Sequence, residues 1–188
     1  MIIRLVLVAV FVLGGWVARG SAAETAGRTP MVGETAPDFS LQDLAGKTVR
    51  LKELYGQGPV VVVVLRGWPG YQCPICTRQV ADLLKRAPDF AKANGRVVLI
   101  YPGPADDLDQ HAKEFVTGKA FPTHFQFVTD PGYRFTNAYG LRWDAPNETA
   151  YPASFVIAQG GKVKFGRVSR SHGGRVPTEE LLGQLTGQ

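Results

Sequence analysis

The chain has 188 residues, 45% of them hydrophobic and 20% charged, with 22 glycines, 13 prolines and two cysteines. That length holds one well-buried core, and the composition excludes a disordered chain, a collagen-like repeat and a cysteine-dense mini-scaffold. The formal net charge of +5 falls to +3 if Arg4 and Arg19 leave with a cleaved leader; without a run of five like charges it gives no reason to expect a nucleic-acid partner.

Residues 1–23 have the three parts of an export signal. Arg4 supplies a positive start, residues 5–18 are apolar apart from two glycines, and Ser21-Ala22-Ala23 offers small residues for cleavage. The apolar stretch is shorter than the roughly 20 residues that span a bilayer. The expectation is cleavage before Glu24, no stable membrane insertion afterwards, and a secreted or periplasmic protein in a compartment where disulfides persist. The alternative is a retained anchor. Residues 24–35 are small and polar and read as a linker; residues 36–188 read as one domain.

Within that domain strand and helix patterns alternate. Phe39-Ser40-Leu41 and Val49-Arg50-Leu51 flank Ala45-Gly46-Lys47, which predicts a hairpin. Residues 60–65 are an unbroken apolar run, as a central strand covered on both faces requires. Val80, Leu83, Leu84, Ala87 and Ala91 are spaced as one helix face, with Pro88 expected to kink it and Asn94-Gly95 to end it. Residues 97–100 predict a second strand. Leu108, Ala112, Phe115 and Val116 give a second helical face. Residues 125–128 predict a third strand, 133–139 a short helix, 155–157 and 163–165 a hairpin around Gly160-Gly161, and 179–185 a closing helix. This order predicts an α/β fold: a mixed central sheet with helices on both faces and an N-terminal β-hairpin.

The chemistry is carried by Cys73-Pro74-Ile75-Cys76, which follows the buried run and opens a helix. A helix start offers free N–H groups and a partial positive charge, and both favour the thiolate, the reactive form of cysteine. Two cysteines at this spacing can also reach each other, so a redox pair needing no cofactor is the leading reading. A structural disulfide would close almost no loop. A zinc site would need two more ligands, and His111, His124 and His172 are scattered. An inert buried pair is the third alternative. Tyr151-Pro152, just before a strand, predicts a turn or a cis bond.

Strand, C-x-x-C, helix and a late proline before a hairpin resemble the thioredoxin fold. Val32-Gly33-Glu34-Thr35-Ala36-Pro37-Asp38-Phe39, with Asp130-Pro131-Gly132 and Ala138-Tyr139-Gly140, resembles the peroxiredoxin-like branch, the alkyl hydroperoxide reductase/thiol-specific antioxidant (redoxin) family. The resemblance makes Pro69 the proline of that family's P-x-x-x-T/S-x-x-C motif and Cys76 its peroxidatic cysteine. Cys73 stands in place of the Thr/Ser, and no arginine stands in Tyr151-Pro152-Ala153-Ser154. Pro152 then takes the place of the thioredoxin cis-proline. Arg66 is the first candidate and Arg175 the second for the cation that supports the thiolate, and Trp68 and Tyr71 are candidate walls. The function implied is an exported thiol peroxidase: Cys76 attacks a peroxide, Cys73 resolves, and an external thioredoxin-like dithiol resets the pair. The alternative is a thioredoxin-type thiol–disulfide oxidoreductase with Cys73 attacking. A copper-binding chaperone using both thiolates and His172 is the minor one. Asn147-Glu148-Thr149 reads as a glycosylation sequon with meaning only in a eukaryotic secretory pathway.

Overall fold

The computed structural model describes residues 27–187, so the expected leader at 1–23 lies outside the described residues. In chain order the elements are β1 (Ser40–Asp43), β2 (Thr48–Arg50), α1 (Leu51–Tyr55), β3 (Val60–Val64), α2 (Pro74–Lys85), α3 (Ala87–Lys92), β4 (Arg96–Gly103), α4 (Leu108–Val116), β5 (Phe125–Pro131), α5 (Arg134–Ala138), β6 (Ala153–Ile157), β7 (Val163–Val168) and α6 (Thr178–Thr186). One seven-stranded sheet has the order β2-β1-β5-β4-β3-β6-β7. β3, β4 and β5 are parallel, while β6 and β1 add to them antiparallel.

The valine run becomes β3, next to the middle of the sheet and fully buried. Val61, Val63 and Leu65 enter one core, with Val80, Leu83, Phe90, Phe115 and Leu181 from the helices above it. Val60, Val62 and Val64 enter the other, with Leu51, Phe135 and Tyr139. This alternation is the two-residue period of a strand, and apolar residues on both faces are what a strand covered on both sides needs. The mixed α/β sheet with helices on both faces is the expected one.

Three local features differ from the sequence reading. Leu51 ends the expected hairpin pattern but starts α1, with its fully buried side chain in the second core. Pro88 was expected to kink one helix, and the chain makes two. Arg86 leaves helical geometry (φ −97°, ψ 10°), and Pro88 stands in the first turn of α3, where its missing N–H has no helical partner to lose. Residues 27–35, expected as a linker, lie along the body. Thr29 Oγ1 donates to the Tyr139 carbonyl (3.1 Å) and Gly33 N to that of Val163 (2.8 Å).

The Tyr151-Pro152 bond is trans, as are all peptide bonds among the described residues. This corrects the expected cis bond. The segment is already held extended: Tyr151 N donates to the Leu141 carbonyl, Ser169 N donates to that of Pro152, and Ala153 pairs with Val168. A trans proline continues this ladder from its carbonyl side and avoids the roughly 0.5–1 kcal/mol cost of the cis isomer. Among the described residues no helix is long and apolar enough to cross a membrane.

Candidate active site

The site is built where β3 ends and α2 begins. After Leu65 the chain must leave the sheet sharply, and Gly67 makes that possible. Its φ is +69°, and a Cβ there would lie 1.8 Å from the Pro102 carbonyl oxygen, so only glycine fits. Trp68 N then donates to that same carbonyl at 3.0 Å. The loop returns through half-buried Pro69 to Cys73, the N-cap of α2, and Pro74 opens the helix. Gln72 braces the return, accepting from the Tyr101 hydroxyl (2.8 Å) and donating to the His111 carbonyl (2.8 Å).

Both cysteines are free thiols, 3% and 0% exposed for Cys73 and Cys76. Cys76 N donates to Cys73 Sγ at 3.3 Å, which places the first sulfur on the free amides of the helix start. Arg66 N donates to Cys76 Sγ at 3.3 Å. Arg175, from the loop after β7, places Nη2 3.4 Å from Cys76 Sγ and 3.8 Å from Cys73 Sγ. Gln79 holds it through Nη1 (2.7 Å) and the His172 carbonyl through Nε (3.3 Å).

These contacts divide the pair. The Cys76 thiol's hydrogen bond, then the Cys76 amide and the Arg175 charge, outweigh burial and bring the Cys73 pKa down to about 5. Burial, then its bond and proximity to the Cys73 thiolate, push the Cys76 thiol well up against the pull of Arg175 and the Arg66 amide. The arrangement therefore favours a thiolate at Cys73 and a thiol at Cys76 behind it.

The two arginines act differently from their expected order. Arg175 reaches the sulfurs with its guanidinium, whereas Arg66 reaches Cys76 only with its backbone. The Arg66 side chain is buried and turned away. Nε meets Glu148 Oε2 at 2.7 Å, Nη2 donates to the Asn147 carbonyl at 2.6 Å, and Nη1 donates to the Tyr71 hydroxyl. Tyr71 stays 46% exposed, and Trp68 stacks on His111 at 3.6 Å between centroids. Pro152 lines a tight crevice with Gln79 and Arg175. His172 Nε2 faces Glu148 Oε1 at 2.8 Å. Among the described residues no three His, Cys, Asp or Glu groups come together as metal ligands, so the copper reading has no third ligand at this site.

Glu148 and Gln79 are the residues that sequence reasoning missed. Gln79 was legible as lying one turn after Cys76 on α2. Glu148 meets Arg66 across 82 positions of chain, a pairing that only the fold creates.

The family model for the AhpC/TSA family matches residues 32–165. The chain belongs to that family. It is 33% identical over 134 residues to the thiol-disulfide oxidoreductase ResA of Geobacillus thermodenitrificans, a match covering 71% of this chain and 67% of that one. It is 29% identical over 154 residues to the chloroplastic peroxiredoxin Q of Oryza sativa subsp. japonica, covering 79% and 66%. The chain thus spans about two thirds of the length of these curated relatives. The crystal structure of peroxidoxin BcpB from Mycobacterium tuberculosis superposes with a TM-score of 0.64 at 22% identity, covering 83% of this chain and 96% of that one. That likeness establishes the thioredoxin-like fold of the peroxiredoxins.

Proposed function

We propose that the protein is an exported thiol–disulfide oxidoreductase in which Cys73 attacks and Cys76 resolves. One observation carries this reading: Cys73 Sγ, the N-cap sulfur of α2, accepts the Cys76 amide at 3.3 Å beside the Arg175 guanidinium, which favours its thiolate, while burial favours the thiol of Cys76 behind it. The Cys73 thiolate attacks a partner disulfide, forming a mixed disulfide and releasing one partner thiolate. Cys73 then no longer carries charge or accepts a hydrogen bond, and both of these had raised the Cys76 pKa. Arg175 and the Arg66 amide now favour the Cys76 thiolate. It attacks Cys73 Sγ and expels the second partner sulfur, which takes up the proton that Cys76 loses. An external dithiol resets the resulting disulfide. Export rests on the leader-like residues 1–23.

Peroxide reduction is the second reading, with Cys76 attacking as the family motif from Pro69 to Cys76 implies. The near-complete burial of both sulfurs favours it, because a peroxide fits a shielded site that a protein disulfide does not. Attack on the O–O bond gives a sulfenic acid and an alkoxide or hydroxide that is protonated; Cys73 condenses with the sulfenic acid, losing water.

One experiment separates the two: rates of the same reduced sample with hydrogen peroxide and with insulin disulfides, repeated on each single cysteine variant. The first reading expects Cys73→Ser to be inert and Cys76→Ser to accumulate mixed disulfide. Rapid peroxide consumption by Cys73→Ser together with none by Cys76→Ser would overturn it in favour of the second.

A further inference from the structure

We infer that Glu148 is a positioning residue for the resolving sulfur, Cys76, acting through Arg66 and His172. This rests on the reading that Cys73 attacks and Cys76 resolves. Three consecutive residues grip Arg66. The Asn147 carbonyl accepts from Nη2, Glu148 Oε2 accepts from Nε at 2.7 Å, and the Thr149 hydroxyl donates to the Arg66 carbonyl. The Arg66 N–H is the backbone donor to Cys76 Sγ. A grip on both the side chain and the carbonyl of one residue fixes its peptide planes and therefore the direction of that N–H. The other carboxylate oxygen of Glu148 meets His172, whose carbonyl accepts from Arg175, the cation beside the same sulfur. Glu148 is thus tied, through Arg66 and His172, to both groups that stabilise a Cys76 thiolate. It is itself nearly buried, and although burial opposes its charge, the bonds from Arg66 and His172 hold its carboxyl below the usual carboxylate range.

The consequence falls on one step. In resolution the Cys76 S–H bond breaks, a bond forms from Cys76 Sγ to Cys73 Sγ, and the bond from Cys73 Sγ to the partner sulfur breaks with its electron pair on the partner, which takes the proton. Charge appears on Cys76 only here, so misdirected donors slow this step more than the first attack.

The test uses DTNB with the reduced full chain, because its two thionitrobenzoate anions leave in sequence: the first on attack by Cys73, the second on resolution by Cys76. Glu148→Ala is expected to slow the second release about tenfold, the size of a lost hydrogen bond to a charged group, with the first release within about threefold of the parent. Glu148→Gln, which keeps an acceptor for Arg66 Nε, is expected to recover most of that loss. An unchanged second release in Glu148→Ala overturns the inference, as does an equal loss of both releases in Glu148→Gln. If Glu148→Ala does not fold, Thr149→Val carries the test, since it removes the grip on the Arg66 carbonyl and must slow the second release alone. A first release that survives in Cys73→Ser instead overturns the assignment of the attacking cysteine and leaves the Glu148 comparison readable by itself.

Discussion

Arg175 Nη2 stands 3.4 Å from Cys76 Sγ and 3.8 Å from Cys73 Sγ, so one guanidinium serves both sulfurs of the pair. It comes from a loop about 100 residues downstream in sequence, and no spacing rule connects it to the C-x-x-C motif.

Replacing Arg175 by Gln removes the charge while leaving a donor of reduced reach. An opposite charge this close lowers a thiol pKa by roughly 1 to 3, so the Cys73 pKa should rise from about 5 by about 1 or more. Thiolate absorbance of the reduced protein against pH measures it directly. An unchanged titration would mean that the helix start and the Cys76 thiol hold the thiolate alone.

The pH dependence of alkylation follows from the same value. Cys73 has a folded pKa of about 5, far below the ordinary thiol value. Its reaction with iodoacetamide should therefore stay nearly flat from pH 8 down to about 6 and fall tenfold per unit well below 5, because only the thiolate reacts. In Cys76→Ser the hydroxyl, a stronger donor than the thiol it replaces, should keep the curve at low pH. A midpoint near 8.5 in the parent protein would remove the basis for calling Cys73 the nucleophile.

Much of this chemistry was legible in the chain, and what was not has a physical reason. Strand β3 could be read because burial on both faces demands an unbroken apolar run, and α2 because its apolar face repeats at helical spacing. The C-x-x-C at a helix start was legible as a candidate redox pair because spacing, N-cap and thiolate stabilisation are all local. Arg66 was placed correctly beside the motif but assigned the wrong part: its backbone touches the sulfur, and its side chain is drawn away by Glu148. That outcome depends on a partner 82 residues distant. The trans state of Pro152 was likewise invisible, since it follows from hydrogen bonds to Leu141 and Ser169 on two other segments.

Gly67 turns the chain out of the sheet directly after Arg66, and its replacement should show as lost stability. In Gly67→Ala the new methyl would meet the Pro102 carbonyl at 1.8 Å and the residue would be held at φ +69°. The strained backbone alone costs about 1–3 kcal/mol, and relieving the clash must shift the loop or β4. Urea unfolding should report a loss of at least about 2 kcal/mol. Wild-type stability would mean that the loop has room that the Pro102 contact denies.

The redox potential carries the most direct signature of the divided pair. Reducing a disulfide to two thiols takes two electrons and two protons, but reducing it to one thiolate and one thiol takes two electrons and one proton. Each proton contributes about 30 mV per pH unit for a two-electron couple at 25 °C. With Cys73 titrating near 5 and Cys76 pushed well up, the midpoint potential should fall by about 30 mV per unit as pH rises from 6 to 8, and by about 60 mV per unit below 5. The sign is set by linkage: the thiolate stabilises the reduced form relative to its disulfide above pH 5, and this advantage is lost as pH falls through the folded pKa. Equilibration with glutathione or dithiothreitol buffers across that range measures the slope. Arg175→Gln should move the break between the two slopes upward with the Cys73 pKa. A uniform slope of about 60 mV from pH 5 to 8 would mean that both sulfurs keep their protons, and the assignment of Cys73 as the standing nucleophile would fall with it.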